Sequence, residues 1–122
     1  MKQLNFLLVL IFILQLSCQN TPSSKSVTIK NNFSTTVFVE VWGGESLEYN
    51  NGEVSGTTLE SLLPVAEILP GAEQKVDCKT SPNIMIIVGI QNNGYKEYLK
   101  HTVITGVTDS KTYTVQADGN IL

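Results

Sequence analysis

A single histidine, two cysteines and a scatter of serines and carboxylates bound what catalysis this chain could perform. His101 is the one imidazole, so a histidine-dependent nucleophile would have to be Cys78, or Ser110 oriented with Asp109. Neither sits in a recognisable nucleophile context, and no GxSxG elbow occurs. Asp109 and Ser110 fit a turn equally well. The segment Glu45 to Glu53 gathers Glu45, Glu48, Asn50, Asn51 and Glu53, oxygen ligands of the kind calcium takes. It contains no aspartate and lacks the DxDxDG order, so a solvated connection is the expectation, with no metal and no cofactor. The best candidate site is aromatic. Phe38 and Trp42 share one face of a strand, with Tyr49 in the segment that follows, and exposed rings on a sheet suit stacking on sugars or gripping a protein. Tyr95 and Tyr98 extend the set.

The first residues carry a different chemistry. Lys2 precedes an apolar run from Leu4 to Leu14, interrupted only by Asn5. A membrane-spanning helix needs roughly 20 apolar residues, and this run has the length of a signal-peptide core instead. Gln15, Leu16 and Ser17 then lead to Cys18, and Gln19 to Ser26 is polar. The arrangement resembles the signal of bacterial lipoprotein precursors, with Ser17 in the small position and Leu16 before it. Gln15 stands where that family usually has an aliphatic residue. The resemblance covers the leader alone. It implies that residues 1–17 are removed, that Cys18 becomes a diacylglycerol-modified N-terminus, and that the protein is exported and held on a bacterial membrane. Residues 18–25 then read as a flexible tether. An ordinary secretory signal and a freely diffusing domain is the alternative.

Composition narrows the partners. All eight basic residues are lysine, and losing Lys2 leaves seven against eleven acids. A mildly acidic domain without arginine forks is a poor nucleic-acid ligand. With Cys18 acylated, Cys78 stands alone, as a buried small apolar side chain. A secreted, unlipidated form could instead pair the two cysteines in a disulfide. Asn32-Phe33-Ser34 is a formal glycosylation sequon, irrelevant to a bacterial lipoprotein.

From Ser26 onward the hydrophobic pattern repeats every second residue, as strands require. Val27 to Lys30 alternates. Thr35 to Trp42 is the strongest strand, with Val37, Val39 and Val41 expected inward. Thr57 to Glu60 carries a capping-box pattern, which predicts a short helical turn near 58–63 before Pro64. Val65 to Leu69 and Lys75 to Cys78 read as extended. Ile84 to Ile90 is apolar on both faces and reads as a central strand. Asn92-Asn93-Gly94 signals a hairpin into Tyr95 to Lys100, prolonged to Thr105 past a bulge. Lys111 to Ala117 is the last strand, with Tyr113 and Val115 inward, and Asp118 to Asn120 turns the chain into Ile121-Leu122. The sum is a single all-β domain over 26–122, a small antiparallel β-sandwich of about seven strands with immunoglobulin-like architecture.

The expected role is a noncatalytic binding module for a glycan or an envelope protein, acting through Phe38, Trp42 and Tyr49. A structural accessory subunit pairing through a sheet edge is the second reading, and a small hydrolase centred on His101 the third. Intact mass of membrane-extracted protein checks the anchor. The expected species begins at Cys18 and carries diacylglycerol, and Cys18→Ser abolishes the modification; an unmodified Cys18, or a chain trimmed past it, refutes lipidation.

Overall fold

The computed structural model of the protein describes residues 24–122, so the expected signal peptide and lipidation site at Cys18 lie outside the described residues. Nine strands and no helix occur there: β1 (Lys25–Asn31), β2 (Val37–Gly44), β3 (Ser46–Asn50), β4 (Glu53–Thr57), β5 (Glu60–Ile68), β6 (Glu73–Lys79), β7 (Asn83–Asn92), β8 (Tyr95–Thr105) and β9 (Lys111–Val115). Lys25, expected to end the tether, already opens β1.

Seven of the strands form a sandwich. One sheet has the order β6-β1-β9 and the other β5-β2-β7-β8, while β3 and β4 make a separate hairpin. All neighbours are antiparallel except β1 and β9, which run parallel. The likeness to an immunoglobulin domain is one of architecture. There the first two strands share a sheet; here they face each other across the core.

The period-2 pattern fixes what points inward. Val37, Val39 and Val41 of β2 are fully buried, as are Ile84, Ile86 and Val88 of β7. They meet Val27 and Ile29 of β1, Val76 and Cys78 of β6, and Tyr113 and Val115 of β9 in one cluster. Each fully buried aliphatic side chain contributes about 1.5–3 kcal/mol relative to exposure. After β9 the chain turns at Asp118 to Asn120, as the sequence suggests, and Ile121 pairs back onto Val115.

The segment near 58–63 is not helical. Thr58 takes φ +57°, a left-handed conformation that stops a helix before it starts. Glu60 onward then pairs with β2 from Gly43 to Val37. Pro64 is tolerated because β5 is an edge strand and the register slips twice along it, once where Pro64 and Val65 stand opposite Glu40. The capping-box residues were available to a helix; a full row of ladder bonds to β2 outweighs one turn of helix.

Glu45 to Thr58, read as a connection, is in fact the β3–β4 hairpin. Asn51 and Gly52 have φ +50° and +83°, the pair of positive values that a type I′ turn demands. Asn93 and Gly94 repeat that geometry between β7 and β8, with φ +49° and +83°.

One buried polar side chain ties the ends of both sheets together. Asn31 is fully buried. Its Nδ2 donates to the carbonyls of Thr35 and Ile68, both at 2.9 Å, and its Oδ1 accepts from the Phe33 amide at 2.7 Å. Its own backbone bonds Ala72 and Gly71. Asn31→Ala strands three backbone groups, each costing about 1–3 kcal/mol where water cannot replace the partner. Urea unfolding should therefore show a loss of roughly 3 kcal/mol, against a change within about 0.5 kcal/mol for the exposed neighbour Asn32→Ala.

Candidate functional site

The outer face of the β5-β2-β7-β8 sheet carries side chains in rows across the strands. Register places Phe38, Gly89 and Tyr98 in one row, Glu40, Ile87 and His101 in the next, and Trp42, Met85 and Val103 in a third. Strict alternation along β8 would send Tyr98 and His101 to opposite faces, since they are three residues apart. The register slips beside Val88 and Gly89, leaving Leu99 as the extra residue of a bulge. That slip brings Tyr98 and His101 to the same face.

The β3–β4 hairpin folds back over these rows, with β3 against β7 and β2. Its Tyr49 ring stacks on Tyr98, with centroids 5.0 Å apart and planes 18° from parallel. His101 completes the cluster, 4.9 Å from Tyr49, and its Nδ1 is hydrogen-bonded to the Tyr98 hydroxyl. Burial lifts the Tyr98 phenol above its ordinary value, helped by the neighbouring Tyr49, while a hydrogen bond from the His101 backbone acts in the opposite direction.

Beside this stack lies a groove of about 190 Å³. Phe38 and Gly89 form its floor; Tyr49, Tyr98 and Val65 its apolar walls; Glu40 and Lys96 its charged groups, while Glu97 lines it with its backbone beside Gly89. Gly89 is essential to that shape. A Cβ there would meet the Glu97 carbonyl oxygen at 2.9 Å, so the position between the Phe38 and Tyr98 rings stays empty.

The structure thus brings together two of the three candidate residues. Phe38 is on the outer face as the alternation requires, yet only 8% exposed, because the groove walls cover it. Tyr49 is half-buried in the stack. Trp42 lies four residues along β2, outside the groove, with its Nε1 donating to Glu40 Oε1 at 2.5 Å. Tyr98 is the ring that takes its place beside Phe38. Its signal was present in the sequence as an aromatic near an Asn-Gly turn; its facing depended on the bulge.

Neither imagined triad is assembled. Cys78 lies in the core, its thiol pushed up by burial first and by Asp77 second. Asp109 and Ser110 are committed to the turn before β9, where Asp109 Oδ1 accepts from the Ser26 amide at 2.8 Å and the Ser110 amide donates to the Ser26 carbonyl. The bond from the Ser26 amide holds the Asp109 carboxyl below its usual range. Of the acids in that segment Glu45 precedes the hairpin, Glu48 lies in β3 and Glu53 opens β4, and among the described residues no group of three acids, histidines or cysteines could hold a metal.

Fold and site together define a small two-sheet β-sandwich with an aromatic-lined groove on one outer face. No protein-family model matches the chain, and no curated protein matches it. Five chains among the solved structures do. One is the crystal structure of a Gram-negative toxin, 11% identical with a TM-score of 0.52, aligned over 77% of this chain and 20% of its own. This chain therefore spans about a fifth of that neighbour's length, and the likeness is one of fold alone.

Two titrations check the site. Tyr98 stays neutral to higher pH in the folded state than in the unfolded one, so its contribution to stability is intact below about pH 10 and lost as pH rises through the folded value. Tyrosinate absorbance should show a late-ionising component that Tyr98→Phe reduces, leaving that of Tyr113, which burial also raises. In the Cys18→Ser chain, Cys78 should resist a thiol reagent until urea unfolds the domain; prompt native labelling contradicts its place in the core.

Proposed function

We propose that the protein is an exported, noncatalytic binding module, tethered through Cys18, that takes a glycan or protein ligand in the groove between Phe38, Tyr49 and Tyr98. The observation that carries this reading is the Tyr49–Tyr98 stack standing over an apolar floor. Two rings held face to face by separate elements are preorganised, so a ligand orders little on arrival. Stacking on a ring is tolerant of ligand identity and suits a recognition surface.

The site's position agrees with tethering. Lys25 and Ser26 are bonded to Val107, Asp109 and Ser110. That end of the sandwich also holds Gly44, Asn83 and Thr105 in register. Phe38 stands six residues along β2 from Gly44, roughly 20 Å away at the rise of a strand. A chain anchored through the residues before β1 would turn the groove away from the membrane.

The free outer edge of β8 favours a second reading, an accessory subunit that adds this edge to a strand of a larger envelope complex. The strand runs eleven residues without proline and has a neighbour on one side only among the described residues. Crosslinking in cells would then trap one dominant partner along β8, whatever the state of the groove.

Glycan and protein arrays probed with the full chain test the first reading. Tyr49→Ala and Tyr98→Ala should each weaken binding about tenfold, equivalent to about 1.4 kcal/mol, whereas Trp42→Ala should change it less than about twofold. Ligand binding that survives both tyrosine substitutions places the site elsewhere.

A further inference from the structure

The groove already contains a cation. Lys96 Nζ stands 4.8 Å from the centroid of the Phe38 ring. One carboxylate, that of Glu40, shares this face of the sheet and lines the same groove. Lys96 does not pair with it, and the one ion pair among the described residues joins Lys79 to Glu60 elsewhere. Glu40 accepts from Trp42 through one oxygen, whereas the Glu97 carboxylate accepts from Asn92 Nδ2 at 2.9 Å on the opposite face of the sheet. The Lys96 ammonium group therefore sits over the ring while Glu40 sets the surrounding potential.

We propose that this is a lysine-binding groove, and that Lys96 is a built-in occupant which a lysine side chain of a partner protein displaces. The inference rests on the binding role proposed for the groove and specifies its ligand. An aromatic face attracts a cation through its quadrupole, most strongly where walls exclude water. Phe38 supplies that face, and Tyr49, Tyr98 and Val65 supply apolar walls for the methylene stem of a lysine. With Lys96 in place the lining carries one negative charge, from Glu40, and one positive; with Lys96 swung outward only the negative charge remains. The empty site is thus complementary to a single ammonium group. Lys96 is exposed on β8 next to the Asn93-Gly94 turn, so its side chain leaves without disturbing the core. Its presence also keeps Phe38 covered when no partner is bound, which limits nonspecific association.

The experiment is an NMR titration of the full chain with Nα-acetyl-lysine N-methylamide and, separately, its neutral Nε-acetylated analogue. The charged compound should shift the amide signals of Phe38, Gly89 and Tyr98, and the neutral one should leave them in place. Lys96→Met keeps the stem but removes the competing charge, and should tighten binding roughly three- to fivefold. Glu40→Gln retains an acceptor for Trp42 and should weaken it. No shift with the charged compound, equal shifts with both, or unchanged or weaker binding by Lys96→Met overturns the lysine assignment. In those cases, tyrosine-dependent binding of a neutral glycan leaves the broader binding role standing. Loss of tyrosine dependence for every ligand removes both.

Discussion

Strand β7 needs cover on both of its faces, and much of the molecule is arranged to supply it. Ile84, Ile86 and Val88 point into the sandwich, while Met85 and Ile87 point away from it and are also buried. A two-layer sandwich protects one face of each sheet only. The β3–β4 hairpin provides the missing layer on the other side, lying against β7 and β2. Where β7 reaches Gly89, no side chain projects from the covered face, and the groove opens there between rings from β2, β3 and β8. The candidate site is thus the edge of a solution to a packing problem.

Polar groups fix the ends that this packing leaves open. At one end Asn31 binds the β1–β2 connection to the last residue of β5, joining the two sheets through three charge-free hydrogen bonds. At the other, Asp109 caps the start of β1 and sets the parallel register of β1 with β9. Among the described residues no buried side-chain nitrogen or oxygen is left without a partner. Because the clamps are backbone-directed, the outer faces remain free to carry functional side chains. The groove and the start of β1 lie toward opposite ends of the strands.

Electrostatics in the groove follows from the same economy of side chains. A chain with no arginine relies on single lysines, and most of these lie dispersed over the surface. Lys96 differs because the turn at Asn93-Gly94 returns β8 beside Phe38, within reach of the ring. The acid that lines the groove, Glu40, comes from β2 independently of it. Aromatic faces, a carboxylate and a removable cation are thereby brought to one place by three strands and a hairpin.

By itself the sequence determined the all-β class, the inward valines of β2, the two-faced apolar β7, the second hairpin turn and the turn at Asp118 to Asn120. Each is a local matter of period-2 burial or of the positive φ that Asn-Gly pairs accept. The Asn51-Gly52 pair carried the same signal as Asn93-Gly94, but its polar flanks concealed two strands whose partner is mainly each other. Tertiary structure alone decided that Glu60 to Leu63 joins a sheet, since ladder bonds to β2 override a local capping pattern. It alone decided the site. A one-residue bulge at Leu99 changes which face Tyr98 shares with His101, and Tyr49 reaches them only because its hairpin covers β7. Alternation names the two faces of a strand; long-range register and the hairpin's docking choose which rings meet, and neither is encoded in the spacing of residues along the chain.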